Sequence, residues 1–283
     1  MRAAGWKWLI ARRLSQALFV ALFLAGPLAG LWVVEGTLAS SLTLGVLPLT
    51  DPLILLQSLL ARHWPEATAL LGAAIVVAGY LLVGGRAYCS WVCPLNPVTD
   101  AAHWLRVKLG LREGVTISPR LRLWVLAGAL AASALFGTLA WELVNPVTIT
   151  HRALVFGGGV MWLVAVGVFV FDLAIARRGW CGHLCPVGAA YGLIGKGSLL
   201  RVSAVRREAC DDCMDCYAVC PEPRVLTPAL RGKAKGFGPV ILSGDCTNCG
   251  RCIDVCPQDV FGFASRFDKR EQTIGPQQGE YVP

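Results

Sequence analysis

An all-α, four-helix transmembrane bundle joined to a cysteine-rich, water-facing α+β domain is the architecture this sequence predicts. Three observations predict it. Hydrophobic residues make up 55% of the 283 positions and charged residues only 16%, against roughly a quarter charged in soluble domains. Four apolar stretches approach the ~20 residues needed to cross a bilayer. Eight of the twelve cysteines crowd between positions 210 and 256. This composition excludes a disordered chain, a collagen and an ordinary cytosolic enzyme.

The spans fall near Leu14–Val34, Ala67–Gly85, Leu123–Trp141 and Ala153–Ile175. The first three contain no Asp, Glu, Lys or Arg, and the fourth only Asp172. The first run is too long for a signal-peptide core of about 7–15 residues. Orientation follows from the basic residues. Four lie in the N-terminal arm (Arg2, Lys7, Arg12, Arg13) and six in the 86–122 connection, whereas the 35–66 and 142–152 loops carry only Arg62 and Arg152. The positive-inside rule then puts both termini and the 86–122 connection in the cytoplasm. The net charge of +8 is read as this topology signal. The basic residues form no aromatic-interleaved patch, so no nucleic-acid partner is expected.

Within the outer 35–66 loop, Asp51-Pro52 reads as an N-cap followed by a first-turn proline. "LILLQSLLARHW" then predicts a short helix lying at the outer interface, with Trp64 near the headgroups. After Ile175 the composition changes, with 14 of the 26 basic residues and ten of the twelve cysteines in 176–283, eight of them clustered after position 200. The expected division is a membrane domain over 1–200, a cysteine domain over 201–267 and a polar, disordered tail over 268–283.

Cys210, Cys213, Cys216 and Cys220 form C-x-x-C-x-x-C-x-x-x-C-P, closed by Pro221, and Cys246, Cys249, Cys252 and Cys256 repeat it, closed by Pro257. Three closely spaced thiolates wrap one face of a cubane, and the displaced fourth reaches the other cluster. The prediction is a bacterial-type 2[4Fe–4S] ferredoxin domain. Cluster one uses Cys210, Cys213, Cys216 and Cys256; cluster two uses Cys246, Cys249, Cys252 and Cys220. Structural zinc favours separated C-x-x-C pairs, and disulfides are disfavoured in a reducing compartment.

The other four cysteines form Cys89-Ser-Trp-Val-Cys93-Pro94 and Cys181-Gly-His-Leu-Cys185-Pro186, each at the cytoplasmic end of a span and 92 positions apart. The repetition suggests duplicated helical hairpins whose four thiols meet on one membrane face. A further iron–sulfur centre, copper or a redox-active dithiol pair are all open there.

No C-x-x-C-H is present, which excludes a covalent c-type haem. No G-x-G-x-x-G follows a predicted strand, and Gly157–Gly159 falls inside a span, where close helix packing is expected. By elimination the electron partner of such a membrane protein is a lipid-soluble quinone. Quinol oxidation needs hydrogen-bond acceptors for two hydroxyls. The candidates are Glu35, Asp51, Glu142 and His151 on the outer side, with Asp172 inside the fourth span. Asp172 is equally read as a headgroup-level carboxylate paired with Arg177 or Arg178.

The residues that carry a family resemblance are now in view. "EGTLASSLTLGVLPLTDPLILLQSLLA", "YCSWVCPLNPVTD", "WELVNPVTITHR", "FDLAIARRGWCGHLCPVGAAYG" and "CMDCYAVCPEPRVL" resemble the NapH-type membrane ferredoxins of periplasmic nitrate reductase systems. The likeness covers all but the extreme N-terminus and the tail after Phe267. It implies four transmembrane helices in a bacterial inner membrane, two cytoplasmic [4Fe–4S] clusters and quinol dehydrogenase activity, with ubiquinol as substrate. It also implies electron delivery to a periplasmic iron–sulfur partner of NapG type and through c-type cytochromes to nitrate reductase. Two other functions compete: a copper-reducing assembly factor of the C-x-x-x-C-P group, and a redox-sensing membrane anchor.

Overall fold

The protein is described here by a computed structural model covering residues 5–111 and 114–268; Arg2, Arg112 and the polar tail after 268 lie outside the described residues. The first apolar run forms α1 (Lys7–Ala29), displaced towards the N-terminus from the expected Leu14–Val34. Its free N–H groups explain the shift, because they are met from far away in sequence. The Asp254 carboxylate accepts from the N–H of Trp8 and of Leu9, each at 3.1 Å, which caps the helix and complements its dipole.

Beyond α1 the first 200 residues are not all-α. Val34–Gly36 (β1), Ser40–Thr43 (β2) and Leu47–Thr50 (β3) form an antiparallel sheet in that order, with Glu35 opposite Leu42 and Leu42 opposite Pro48. Asp51 caps the next helix, α2 (Pro52–Leu60), its Oδ1 accepting from the Leu53 N–H at 2.7 Å. The helix does not simply lie on the surface. Gln57 is fully buried, and its side-chain oxygen accepts from the Ser133 hydroxyl at 3.2 Å and from the Trp141 N–H at 3.0 Å. Trp64 is exposed.

α3 (Ala67–Val83) packs along β3 and α2, and is followed by α4 (Ala87–Trp91), α5 (Asn96–Lys108) and α6 (Leu121–Phe136), which stops short of the expected Trp141. The fourth expected span is broken into α7 (Pro146–Phe156) and α8 (Trp162–Val170). Gly157, with φ 71°, ends α7 in the left-handed conformation that glycine adopts without steric cost. A Cβ at Gly157 or Gly159 would meet nothing within 4 Å, so these glycines do not bring helices together as expected; they terminate one. Single π-helical turns at Phe171–Ile175 and Trp180–Leu184 lead into α9 (Pro186–Gly195).

Among the described residues, α1 is the one helix both long and apolar enough to cross a membrane by length and composition; α3, α6 and α8 with its π-turn are apolar but shorter. Large apolar side chains point outwards around them, including Leu18, Leu71, Leu82, Trp124, Leu135, Leu163 and Val166. Inside, Leu53, Tyr88, Leu95, Trp141 and Tyr191 form an apolar core beside tethered polar groups such as Gln57 and Ser133.

The chain then forms β4 (Leu200–Ser203), α10 (Asp215–Val219), α11 (Leu226–Arg231), α12 (Arg251–Val255) and β5 (Gly262–Ser265), with β4 and β5 paired antiparallel. A second apolar core, around Val202, Leu226, Ile241 and Val260, lies apart from that around Leu53, Tyr88, Leu95 and Leu126. The cysteine region docks on the start of α1 at Gly250, where a Cβ would come within 2.5 Å of the Trp8 ring.

Several arginines read as topology signals hold the fold together internally. Asp100 receives Arg12, Arg13 and Arg178 at 3.0, 2.6 and 2.8 Å. Burial alone would raise its pKa, but the guanidiniums of Arg178, Arg12 and Arg13 outweigh that and hold it at about 2.

Candidate functional site

The eight clustered cysteines line two cavities. Cys210, Cys213, Cys216 and Cys256 surround one; Cys220, Cys246, Cys249 and Cys252 surround the other. The short helices divide them. α10 and the residue after it carry Cys216 to one cavity and Cys220 to the other, while α12 and its successor do the same for Cys252 and Cys256. The two loops share a backbone pattern, with left-handed residues at Asp212 and Met214 in one and at Asn248 and Gly250 in the other. Alternations of this kind aim successive N–H groups into a concavity that suits an anionic group. Burial pushes the Cys246 thiol up to about 11, against the pull of backbone hydrogen bonding and the nearby Arg201 and Arg86.

A third cavity is lined by Cys89, Cys93, Cys181 and Cys185 together with Tyr88, Leu95 and Trp180. The two C-x-x-x-C-P motifs, 92 positions apart, thus face one space. Burial, and then the neighbouring Cys89, push the Cys185 thiol up to about 12. Among the described residues, no three His, Cys, Asp or Glu side chains converge closely enough to hold a single metal ion. Thiols spread over the walls of a cavity suit a group of several irons, each bound to its own cysteine.

A buried ion network separates this third cavity from the Cys246 cavity. Arg86 donates from Nη1 to Glu222 Oε1 at 2.8 Å and to the Asp245 carbonyl at 3.0 Å, and from Nη2 to the Cys181 carbonyl at 3.0 Å. Arg122 joins the same Glu222 oxygen at 3.1 Å and also pairs with Asp245. Cys89 and Cys181 line the space on one side of the network, and Glu222 and Thr247 continue it to the Cys246 cavity. Trp91 crosses as well, its Nε1–H donating to the Asn248 carbonyl at 3.1 Å.

On the far side of the third cavity lies an apolar cavity of about 240 Å³ between α1, the three-stranded sheet, α3 and α9. Phe19, Leu22, Phe23, Leu38, Val76 and Val92 form apolar walls, and Asp51, Thr50, Ser41 and the hydroxyls of Tyr80, Tyr88 and Tyr191 are the polar groups there. A few polar groups in an apolar enclosure are the usual character of a small-molecule site. Burial drives the Asp51 carboxyl up to about 7 despite its bond from the Leu53 N–H, and the charge of Glu142 adds to the rise.

Of the five acid–base candidates, Asp51 lines this cavity and the other four do not. Glu35 is exposed on β1. Glu142 is half-buried next to Trp141, and His151 lies behind the cavity with its ring edge-on to Phe23 at 4.6 Å. Asp172 is buried near the third cavity, where its Oδ1 accepts from the Trp180 N–H at 2.9 Å. The expected surface pairing of Asp172 is replaced by that bond; Arg178 goes to Asp100, and Arg177 donates to the Ala218 carbonyl.

Sequence reasoning missed Tyr80, Tyr88 and Tyr191, which line the apolar cavity, and the Arg86–Glu222–Arg122 network. The signal for Tyr88 was its place beside Cys89. Glu222 follows Cys220-Pro221 directly, where an acid within a basic region invited a search for buried partners.

Comparison with known proteins follows the same division. Residues 67–112 and 158–207 match a family described as a 4Fe-4S binding domain, and residues 209–260 match a 4Fe-4S dicluster domain. The first match contains both C-x-x-x-C-P motifs, the second all eight clustered cysteines. The methylamine utilization ferredoxin-type protein MauN of Methylorubrum extorquens is 58% identical over 260 residues, 92% of this chain and 90% of that protein. The ferredoxin-type protein NapH of Haemophilus influenzae is 53% identical over 269 residues, 93% of each chain. NapH of Escherichia coli is 47% identical over 269 residues, covering 93% of this chain and 92% of that one. No solved structure matches the chain.

Proposed function

The chain belongs to the family of ferredoxin-type proteins that includes NapH and MauN, and from that premise we propose that it is a multi-pass membrane protein that oxidises quinol and passes the electrons on through iron–sulfur clusters. One observation carries the reading. Tyr88 lines both the 240 Å³ apolar cavity and the cavity of Cys89, Cys93, Cys181 and Cys185. A substrate in the first is one side chain away from a redox group in the second.

Cys210, Cys213, Cys216 and Cys256 hold one [4Fe–4S] cluster in this reading, and Cys246, Cys249, Cys252 and Cys220 the other. Cys89, Cys93, Cys181 and Cys185 hold a further iron–sulfur centre, in keeping with the 4Fe-4S description of the family matched there. Clusters at these positions, when bound, take up and release electrons singly. The chain's own residues do the rest. Phe19, Leu22, Phe23 and Val76 exclude water around the quinol ring, and the tyrosine hydroxyls orient its oxygens. Asp51, as a carboxylate, accepts a hydroxyl proton as the electrons leave.

Outward-facing Leu, Val, Phe and Trp side chains on α1, α3, α6 and α8 are the lipid contact of a four-span bundle; tilt and local thinning accommodate the shorter helices. The basic residues from Arg86 to Arg122 and the docking of the cysteine region on the start of α1 favour a cytoplasmic place for that region and both termini. From the clusters electrons pass to a periplasmic iron–sulfur partner of NapG type and c-type cytochromes towards nitrate reductase. The MauN relatives favour methylamine utilisation as a second destination.

Anaerobically purified protein mixed with a reduced ubiquinol analogue tests the reading, followed by EPR and optical bleaching. Cluster reduction within turnover time is expected. Clusters that dithionite reduces and quinol does not would overturn it.

A further inference from the structure

We infer that Arg86 is a positioning residue that raises the potentials of two neighbouring iron–sulfur centres together. They are the centre on Cys89, Cys93, Cys181 and Cys185 and the cluster on Cys220, Cys246, Cys249 and Cys252. The inference rests on the three-centre reading above and adds to it the residue that joins two of the three.

Arg86 stands at the N-cap of α4, and its carbonyl accepts from the Cys89 N–H at 3.0 Å. The residue is 1% exposed. Its Nη2 donates to the Cys181 carbonyl and its Nη1 to the Asp245 carbonyl, each at 3.0 Å. Cys181 lines the third cavity, and Asp245 directly precedes Cys246. One guanidinium thus ties a cysteine of one cavity to the backbone beside a cysteine of the other. Glu222, Asp245 and Cys181 all lie outside the lining of the Cys210 cavity.

The guanidinium also keeps one donor uncommitted. Its Nε is buried with no hydrogen-bond partner. A Cβ at Gly188 would lie 3.8 Å from that Nε and 3.7 Å from Nη2, and Gly188 lines the third cavity. Glycine at 188 therefore puts no side chain between this edge of Arg86 and the cavity wall. Arg86 and Cys89 also line the adjoining space together with Cys181, Glu222 and Thr247. A buried donor left unpaired by protein calls for an explanation. An anionic group with sulfur acceptors in the third cavity supplies one.

Charge gives the placement its consequence. A cluster bound by four thiolates is anionic, and each added electron makes it more so. A buried cation close by stabilises the reduced form, through an attraction that salt screens little, and so raises the potential. Glu222 works the other way. Its Oε1 accepts from Arg86 Nη1 at 2.8 Å, and it lines the Cys246 cavity. Arg122 at 3.1 Å and Arg224 at 3.0 Å hold the same carboxylate. Its charge is shared among three guanidiniums, which leaves Arg86 a net cation between the two cavities.

Raising both potentials together serves transfer between them. A centre that takes single electrons from quinol must lie high enough to accept them, and the neighbour it feeds must not lie far below it. One charge placed between the two lifts both and keeps their difference small. The exchange balances: one centre is oxidised by one electron, the other is reduced by one, and no bond is made or broken.

The test is an EPR-monitored redox titration of the full-length holoprotein in detergent, read as midpoint potentials without turnover. Each signal is assigned by serine replacement of a cysteine in its own cavity. Arg86→Gln removes the charge, keeps a donor, and leaves Glu222 paired with Arg122 and Arg224. It should lower the potentials of both neighbouring centres by about 60 mV, a tenfold shift in a one-electron equilibrium. The potential of the Cys210 centre should stay in place. Arg86→Lys keeps the charge and should lie closer to wild type. Glu222→Gln removes the opposing charge and should raise the same two potentials, a change of sign that loosened packing does not produce. Unmoved potentials in both Gln variants overturn the inference, as does an equal shift of all three centres. Iron and EPR signals for only two clusters in the wild type are a different result: they remove the third centre, and the inference with it.

Discussion

Tyr88 and Tyr191 stack with ring centroids 4.8 Å apart and planes within 7° of each other, and Tyr80 meets them edge-on at 6.2 and 5.0 Å. Tyr88 precedes Cys89 and Tyr191 follows Cys185 by six positions, so the stack joins the two halves that carry the C-x-x-x-C-P motifs. Offset-stacked and edge-to-face pairs are worth about 0.5–1.5 kcal/mol beyond their burial. Tyr88 is the member of this cluster that stands between the apolar cavity and the four-cysteine cavity, lining both.

Tyr88→Phe should keep the partition, with full iron content and a modest change in quinol affinity. Tyr88→Ala should lose about 3–5 kcal/mol of stability, as truncation of a buried aromatic does, and join the two cavities. Iron and sulfide analysis with quinol titration distinguishes them. Equal behaviour of the Ala and Phe variants would remove the partition role.

Asp51 has two roles that substitutions can separate. Asparagine caps a helix about as well as aspartate, so Asp51→Asn should keep the cap while abolishing most quinol oxidation. Asp51→Ala should also lose the cap, at about 1 kcal/mol. In the wild type the carboxyl is raised to about 7 by burial. Below that pH it is protonated and cannot accept, so oxidation should fall as pH drops through about 7, and Asp51→Asn should lack this limb. The linkage has the opposite sense. A carboxyl raised in the folded state favours folding while protonated, so its contribution to stability declines as pH rises from about 4 through about 7 and is gone above that. Rate and unfolding profiles across pH 4–9 check both signs.

What the sequence reveals is what local chemistry settles. The Asp51-Pro52 cap needs only neighbouring residues, and the division of eight cysteines between two cavities follows from spacing that no single cavity could accommodate. The sheet over 34–50 is hidden because its strands are three or four residues long, too short for alternation to register; it is held by packing along α3. The start of α1 depends on Asp254, about 245 residues away. Arg12, Arg86 and Arg122 read in the sequence as topology signals alone, and their buried partners add a structural role that only the fold shows. Tyr80 looks like any aromatic in an apolar run until Tyr88 and Tyr191 close on it.

Glu222 holds two buried arginines whose side chains are 2% and 6% exposed. Removing one partner of a buried pair leaves an uncompensated charge, at about 3–5 kcal/mol. Glu222→Ala should therefore destabilise the protein by that amount and weaken the junction between the third cavity and the Cys246 cavity. Denaturant unfolding in detergent measures it. A loss below about 1 kcal/mol would show that Asp245 alone satisfies both guanidiniums.

Replacement of Cys89, Cys93, Cys181 and Cys185 by serine separates the third cavity from the other two. Serine is close in size, and Cys89, Cys93 and Cys185 belong to a core distinct from that of the clustered cysteines, so the latter should keep their clusters and dithionite should still reduce them. Iron and sulfide per chain should fall by about one third if each of three cavities holds a four-iron cluster. Quinol-driven reduction of the remaining clusters should be lost, because the redox group behind Tyr88 is gone. Unchanged iron, sulfide and quinol-driven reduction would mean that the four thiols only fill space, and that electrons reach the Cys246 cavity by another path.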